Sequence, residues 1–382
     1  MENSLKGRIK LAAFSFRGYN VTNLGKSPEL LAHARYGPFV EKRLRQASEI
    51  CTQATRQPLD LVERVRQRVE SSLQTYAADI GMIVGVELAQ LDILQEVFGI
   101  PYADARLAFG YSLGEVTALV AGGVFSMEAA LTPLLVLAKD AAKLAHGVQL
   151  GVLFSRGPAL SYAAIEKLCL EISNEGRGTV AVSSILSPNT VLLMGQGATL
   201  DRFKERMKGV LPDSTHLRKN PHQWPPLHTP ICRQKNISNR AWVLMEKVPG
   251  GFTVPKPPIV SGVTGDISYD DHNSRNHLDD WIDHPQKMWD IIDKTLSAGI
   301  ETVIHVGPEP NIVPATFNRL SIDVQMQLSG RSLSALGLRA FSRITRRRPW
   351  LSRLISSDAA LLRAPFVEQV ILEDWLLEQK TD

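Results

Sequence analysis

Residues 105–125 read ARLAFGYSLGEVTALVAGGVF, and the architecture of the chain can be worked out from them. A short apolar run, typical of a buried strand, leads into GYSLG at residues 110–114, and an apolar run at helical spacing follows. GYSLG has the G-x-S-x-G form of a nucleophile elbow, in which glycines let the chain reverse sharply and leave the serine exposed at a helix N-terminus. The pattern predicts that Ser112 is a nucleophile, with backbone N–H groups available to stabilise an oxyanion.

On either side of this elbow, the sequence predicts an α/β fold in two parts. Residues 8–16 and two later segments, PPIVSGV and TVIHVG, have the short apolar pattern of buried strands. A strand, a helix, two strands and a second helix follow one another between residues 147 and 211, which is the order of a small ferredoxin-like unit. We expect a large α/β-hydrolase-like domain with a parallel sheet core at residues 1–146 and 212–328, and an inserted ferredoxin-like α+β subdomain at residues 147–211.

Composition and cysteine usage exclude several classes of protein. Of the 382 residues, 44% are hydrophobic and 21% are charged, which is typical of an ordinary globular protein. The formal net charge of +4 gives no indication of a nucleic-acid partner. Cys51, Cys169 and Cys232 are far apart and match neither a disulfide framework nor a metal site, so we expect no metal and a reducing, cytoplasmic location. No apolar run reaches the ~20 residues of a membrane-spanning helix, so no membrane span is expected.

The nucleophile needs a base, and residue type alone does not identify it. A serine hydroxyl is a weak nucleophile until a neighbouring group, most often a histidine, takes its proton. The chain has nine histidines, and any of them, taken singly, is typical of a surface or hydrogen-bonded core position. The choice among them comes from a wider pattern.

The segment GYSLGEVTALVAGGVFSMEAA, residues 110–130, resembles the nucleophile segment of the malonyl-CoA:acyl-carrier-protein transacylases and of the acyltransferase domains of fatty-acid and polyketide synthases, whose pattern is GHSLGE-y-t/s-ALvaaGv. Three further segments resemble family landmarks in the same order: AFSFRGYNVTNLG, WPPLHTPIC and IETVIHVGPEPNI. The resemblance extends over roughly residues 9–320, and the ferredoxin-like insert lies where the family has one. It implies that the chain is a divergent member of this family.

The resemblance also implies a set of site residues. Ser112 would carry the acyl ester, and His228 would take its proton and later deprotonate the carrier thiol. No carboxylate completes a triad in this family, and the main-chain carbonyl of Trp281 would hold the histidine instead. The oxyanion hole would be formed by the backbone N–H groups of Leu113 and Arg17.

The chain departs from the family at the position that selects malonate. Malonyl-specific members carry an arginine on the helix after the elbow, and an ungapped count places Leu137 there. A leucine would leave a malonyl carboxylate desolvated and unpaired, so we expect a neutral acyl group. Two cations remain as alternatives: Lys139 would point away from the pocket unless Pro133 shifts the helix, and Arg17 could bind an acidic group in place of the missing arginine.

Further departures concern the pocket wall. Arg17 and Asp79 stand where the resemblance places two active-site glutamines, which predicts an ion pair across the pocket. The alternative is that Asp79 caps a helix or faces solvent. Tyr111 replaces the family's histidine, and Leu227 precedes the predicted base. These two changes either enlarge the pocket and make it more apolar, or are neutral packing substitutions.

After residue 328 the chain leaves the family pattern, and we expect a basic helical extension at residues 329–382. Its segment FSRITRRRPWLSRL clusters arginines among aromatic and aliphatic residues. Three interpretations are open: a solvated arm folded back over the domain, a docking surface for an acidic carrier protein, or a basic amphipathic helix at anionic lipid.

These observations predict an acyltransferase that moves an acyl group from acyl-CoA or an acyl-carrier thioester, through a Ser112 ester, to an acyl-carrier-protein thiol. Coenzyme A would enter as a substrate carrier and no cofactor is required. The partners would be acyl-CoA and acyl-carrier protein, and the protein a monomer. One alternative is a thioesterase or other hydrolase with the same dyad. The other is a non-catalytic docking module, which the missing arginine favours and the presence of both Ser112 and His228 disfavours.

Overall fold

A computed structural model describes residues 5–156, 159–329 and 360–379 of the chain. Its strands are β1 (Ala12–Phe16), β2 (Leu107–Gly110), β3 (Val148–Ser155), β4 (Val180–Ser187), β5 (Thr190–Gln196), β6 (Thr215–Lys219), β7 (Ile259–Val260), β8 (Thr302–Val306) and β9 (Glu368–Ile371). Its α-helices are α1 (Leu5–Arg8), α2 (Ser27–Ala32), α3 (Gly37–Thr55), α4 (Leu61–Arg66), α5 (Tyr76–Phe98), α6 (Leu113–Ala121), α7 (Met127–Ala145), α8 (Tyr162–Ser173), α9 (Thr199–Arg206), α10 (Ile237–Met245), α11 (Ser274–Asp283), α12 (Met288–Ser297), α13 (Ile312–Ser329) and α14 (Leu372–Glu378). Short 3-10 helices occur at Ile9–Leu11, Leu73–Thr75, Tyr102–Asp104, Pro230–Lys235 and Leu361–Phe366.

The main sheet has the order β7-β2-β1-β8-β9, and every pair in it is parallel. All five residues of β1 are buried because helices cover both faces. Phe14 and Phe16 point into the core that contains α5 and α6, whereas Ala13 points into a second core with α12 and α13. This alternation is the period-two arrangement of a strand, and it places the elbow after β2 at the carboxyl edge of a rigid sheet.

The second sheet is antiparallel, with the order β4-β5-β3-β6. Helices α8 and α9 cover one of its faces. The other face carries Leu150, Leu192 and Met194, which form a separate apolar cluster. The ferredoxin-like insert is therefore present, and its last strand extends it to Lys219, past the boundary predicted at residue 211.

The described part of the C-terminal extension belongs to the main domain. β9 pairs in parallel with β8 at the sheet edge, and the Arg363 guanidinium donates to the carbonyls of Leu296 and Ile300 at the end of α12. The prediction of a purely helical extension is therefore wrong for residues 360–379. The arginine-rich segment at residues 341–354 lies outside the described residues.

The described residues contain neither a candidate membrane span nor a candidate metal site. None of their helices combines the length and the apolar character needed to cross a membrane. Nor do their histidine, cysteine, aspartate and glutamate side chains group in a way that could hold a metal ion.

Candidate active site

Ser112 lies at a sharp turn between β2 and α6. Its backbone has φ 54° and ψ −119°, a strained conformation for a residue with a side chain. The flanking glycines are required by space, because a Cβ at Gly110 would lie 2.0 Å from the carbonyl carbon of Gly114, and one at Gly114 would lie 2.3 Å from the Phe16 carbonyl oxygen. The G-x-S-x-G pattern thus forms a nucleophile elbow at the edge of the parallel sheet.

His228 is the histidine that reaches this serine. Its Nε2 lies 2.7 Å from Ser112 Oγ, and its Nδ1 lies 2.7 Å from the main-chain carbonyl oxygen of Trp281. A carbonyl can only accept a hydrogen bond, so Nδ1 carries the proton and Nε2 is free to accept from the serine hydroxyl. Burial lowers the pKa of His228 to about 4, and the Trp281 carbonyl bond opposes this only in part. The imidazole is therefore neutral at physiological pH, as a general base must be.

One of the two N–H groups predicted to form the oxyanion hole already donates a hydrogen bond within the protein. The N–H of Leu113 is at the first position of α6, and no acceptor among the described residues bonds to it. The N–H of Arg17, however, donates to Glu87 Oε1 at 2.9 Å. Arg17 is therefore not the second donor in this structure. The next residue, Gly18, is closer to the elbow, since a Cβ on it would lie 3.3 Å from Ser112 Cβ.

The predicted ion pair between Arg17 and Asp79 does not form. The Arg17 guanidinium donates to Asn23 Oδ1 at 2.7 Å and to the carbonyls of Gly18 and Pro308. It therefore links the loop after β1 to the loop after β8. Asp79 is fully buried and pairs with Arg64 instead.

The Asp79 carboxylate also accepts from Ser71 and Thr75, at 3.0 and 3.1 Å. Burial raises its pKa to about 6, against the opposing effects of Arg64 and these hydroxyls. It lines neither of the cavities next to Ser112, so the prediction that Asp79 belongs to the substrate pocket is wrong.

A narrow inner pocket opens beside Ser112. Its wall contains no charged side chain and consists of Tyr19, Tyr76, Ile80, Ser112, Leu113, Leu134, Leu137, Ala138, Ala141, Leu227, Ile237, Trp281 and Ile282. Leu137 and Leu227 lie where the sequence places them. Lys139 lies on the exposed side of α7, in a different groove, so Pro133 does not turn it into the pocket.

A wider outer cleft lies between the main domain and the small sheet. It meets the inner pocket at Tyr19, Tyr76, Ser112 and Leu227, which line both. Tyr111 lines this cleft and not the inner pocket. The rest of the wall is Asn20, Leu150, Val152, Ser183, Leu186, Leu192, Met194, Asn220, Trp224, Pro225, His228, Asn311, Ile312 and Ala315. Apart from His228, which is neutral, none of these side chains is ionisable in the physiological range.

Several residues that support the site could not be assigned from the sequence. The Glu115 carboxylate, inside the elbow motif, accepts from the N–H of Gly262 at 2.9 Å and from the Tyr269 hydroxyl at 2.7 Å. Burial raises its pKa to about 7. Gln286 Oε1 lies 3.4 Å from the Ser112 N–H. A buried acid within an apolar helix is a sequence signal for Glu115, but its partners come from loops distant in sequence.

Comparisons with known proteins agree on the architecture. No protein-family model matches the chain. A polyketide synthase protein of the spectinabilin system, NorB from Streptomyces orinoci, is 25% identical over 254 residues, which is 62% of this chain and only 10% of that much longer protein.

Solved structures are similar to a larger part of the chain. A malonyl-CoA:acyl carrier protein transacylase from Xanthomonas oryzae is 20% identical, with a TM-score of 0.65 over 80% of this chain and 90% of its own. An acyl carrier protein S-malonyltransferase from Vibrio cholerae is 18% identical, with a TM-score of 0.64 over 80% and 93%. A malonyl-transacylase in complex with its type II polyketide synthase acyl-carrier protein is 20% identical, with a TM-score of 0.60 over 80% and 91%. These structures confirm the predicted α/β domain with its ferredoxin-like subdomain.

Proposed function

We propose that this chain, which has the fold of the malonyl-CoA:acyl-carrier-protein transacylases, is an acyltransferase that carries a neutral acyl group on Ser112. The observation that supports this most directly is the 2.7 Å contact between Ser112 Oγ and His228 Nε2 at the mouth of an apolar pocket. The fold alone does not require these two side chains to meet. Their geometry matches what a serine nucleophile and its base need.

The reaction would proceed in two halves. In the first, His228 Nε2 takes the Ser112 hydroxyl proton as Oγ forms a bond to the thioester carbon, the C–S bond breaks, and the same proton passes to the leaving thiolate. In the second, the thiol of an acyl-carrier protein gives its proton to His228 as its sulfur forms a bond to the ester carbon, the C–Oγ bond breaks, and His228 returns the proton to Ser112 Oγ. Acyl-CoA and the carrier protein are thus substrates, and the protein needs no resident cofactor for these steps.

The oxyanion of each half-reaction would be stabilised at the start of α6. The Leu113 N–H has no acceptor among the described residues and points from the positive end of a nine-residue helix. A second donor would come from the Gly18–Tyr19 segment, because Gly18 approaches Ser112 closely and Tyr19 lines the same pocket. Preorganised donors of this kind contribute about 3 kcal/mol each to transition-state stabilisation.

Desolvation is the reason to prefer a neutral acyl group. Leu137, which an ungapped count aligns with the family's arginine, lines the inner pocket, and the wall of this pocket carries no cation. Arg17 bonds to backbone and Asn23 behind the pocket, and Lys139 lies outside it, so neither alternative cation is available. A carboxylate placed against this wall would lose its hydration without a partner, at a cost of several kcal/mol.

The experiment that tests the function is intact-protein mass spectrometry after incubation with acyl-CoA donors. Butyryl-CoA and malonyl-CoA form a suitable pair because their acyl groups are similar in size and differ in charge. We expect a butyryl adduct that is absent in Ser112→Ala, with little malonyl adduct. Ser126→Ala, an N-cap of α7 away from the dyad, is the control for loss of a serine hydroxyl.

Three results would change this view. A malonyl adduct equal to the butyryl adduct would contradict the neutral specificity. Consumption of the donor without an adduct or transfer to a carrier thiol would indicate a hydrolase. No adduct and no consumption with any donor would contradict an enzymatic role.

A further inference from the structure

Trp281 contacts both members of the dyad, through different atoms. Its indole Nε1–H donates to the Ser112 carbonyl oxygen at 3.1 Å, while its own carbonyl accepts from His228 Nδ1 at 2.7 Å. Its ring also packs edge-to-face against the His228 imidazole, with centroids 4.8 Å apart and planes at 90°. We propose, as a deepening that rests on the proposed function, that the Trp281 side chain is a positioning residue that fixes the elbow backbone and the base relative to each other.

The contact at Ser112 matters because the elbow is strained. A side-chain-bearing residue at φ 54° and ψ −119° keeps that conformation only when its surroundings hold it there. Among the residues that the structure describes, the Ser112 carbonyl has two partners, the Glu115 N–H at 2.9 Å and the Trp281 indole. The first belongs to the turn of α6 itself, so the indole is what ties the Ser112 carbonyl to another element.

The contact at His228 follows from where α11 ends. The last four carbonyls of a helix lack intrahelical partners. His228 uses two of them, because its N–H donates to the Ile282 carbonyl at 2.7 Å and its Nδ1–H donates to the Trp281 carbonyl. Backbone and ring of the base are therefore both attached to the C-terminus of α11, and the indole attaches the same turn to the nucleophile.

The geometry separates this role from plain packing. Trp281 is 1% exposed and lines the inner pocket, so truncation would open a cavity and alter substrate binding as well. A packing role requires the volume of the ring, whereas the positioning role requires its N–H. The decisive replacement therefore keeps the ring and removes only the hydrogen-bond donor.

We would replace Trp281 with benzothienylalanine, a tryptophan isostere in which sulfur takes the place of the N–H. The same replacement at Trp375 is the matched control. Trp375 lies on α14, away from the dyad, and its ring packs against Phe98 at the end of α5. Trp281→Phe is a second variant that also lacks the donor and can be made without an unnatural residue. Two rates are measured: labelling of Ser112 by a fluorophosphonate probe, and kcat and KM for acyl transfer from butyryl-CoA to a carrier thiol.

We expect the isostere at position 281 to lower both the labelling rate and kcat about five- to tenfold, because one hydrogen bond to the elbow is lost, with KM unchanged. Wild-type rates in the isostere would overturn the positioning role. If the wild-type protein is labelled by the probe but accepts no acyl donor, the proposed function fails while the labelling rates still decide the role of Trp281. If the wild-type protein is not labelled, both fail.

Discussion

Acylation of Ser112 should persist in mild acid where an ordinary histidine base would fail. Burial lowers the pKa of His228 from 6.5 to about 4, and the hydrogen bond to the Trp281 carbonyl restores only part of the difference. The base acts only when neutral, so the rate should be complete well above pH 4 and should fall as the pH decreases through that value.

The size of the effect can be worked out at pH 5.5. A histidine with a pKa of about 4 is roughly 97% neutral at that pH, whereas one with a pKa of 6.5 would be roughly 9% neutral. The acylation rate at pH 5.5 should therefore be close to its value at pH 7.5. An unshifted base would give about a tenfold decrease.

The same burial limits the pH range of the test. Because the folded pKa lies below that of the unfolded chain, the unfolded state binds more protons between about pH 4 and 6.5. Stability is then complete above pH 6.5 and decreases as the pH falls towards 4. The shift to about 4 corresponds to about 3 kcal/mol for His228 at full protonation, and His305, buried with a similar pKa of about 4, contributes a comparable loss.

The assay is rapid-quench acylation by butyryl-CoA between pH 4.5 and 8, with the adduct measured by mass spectrometry and the fold checked by circular dichroism at each pH. Single-turnover conditions keep product release out of the rate. A half-maximal rate near pH 6.5 in protein that is still folded would refute the reasoning, because it would mean that the imidazole is not desolvated as the structure indicates.

Three substitutions give further expected outcomes. Leu137→Ala should cost about 3 kcal/mol of unfolding free energy because the side chain is 3% exposed, and should raise kcat/KM for bulkier acyl donors; denaturant titration and a donor panel measure this. Asp79→Asn should leave Arg64 buried without its partner and cost about 3 kcal/mol in the same titration with the fluorophosphonate labelling rate unchanged, which an Asp79 in the substrate pocket would not allow. Gly18→Ala should lower the acylation rate at least tenfold, since its Cβ would lie 2.7 Å from the carbonyl oxygen of the residue before the nucleophile; wild-type rates would show that the elbow can move.

The elbow could be predicted from the sequence because local sterics determine it. Gly110 and Gly114 leave no room for a Cβ, and a strand before the turn and a helix after it are both visible in the apolar pattern. The fold followed for the same reason, since four landmarks in a fixed order restrict the topology. The partner of Ser112 could not be derived from these local rules, because His228 is 116 positions away and was chosen by resemblance alone.

The contacts of Arg17 and Asp79 were predicted incorrectly because charge pairing depends on distances that a sequence does not contain. The resemblance placed both side chains at active-site positions, which made a mutual pair the simplest hypothesis. Asp79 instead pairs with Arg64, fifteen positions earlier on a neighbouring helix, and the Arg17 guanidinium bonds to neutral acceptors. In the segment after β1, the residue that lines the inner pocket is Tyr19. No pattern in the sequence distinguished Tyr19 as a site residue.

Two short strands, β6 and β9, could not be predicted from the sequence either. β6 and β9 are short strands that alternate or lack a long apolar run, and each is stabilised by the sheet it joins. Without that sheet in view, Thr215–Lys219 and Glu368–Ile371 resemble connecting segments.

The buried carboxyl groups near the site, Glu87 and Glu115, do not line the inner pocket. Glu87 accepts from the Arg17 N–H, Glu115 accepts from Gly262 and Tyr269, and burial raises the pKa of these carboxyl groups to about 8 and about 7. Each accepts hydrogen bonds from groups that form the elbow and its supporting loops, so these carboxyl groups stabilise the scaffold. The wall that an acyl chain would touch carries none of them.

Such a pocket discriminates between acyl groups by the free-energy cost of removing their hydration, which is small for an alkyl chain and large for a carboxylate. A single Leu137→Arg change would therefore not be sufficient to admit malonate, because the new cation would itself be desolvated among leucines and would need a hydrogen-bonding second layer that the apolar wall does not provide.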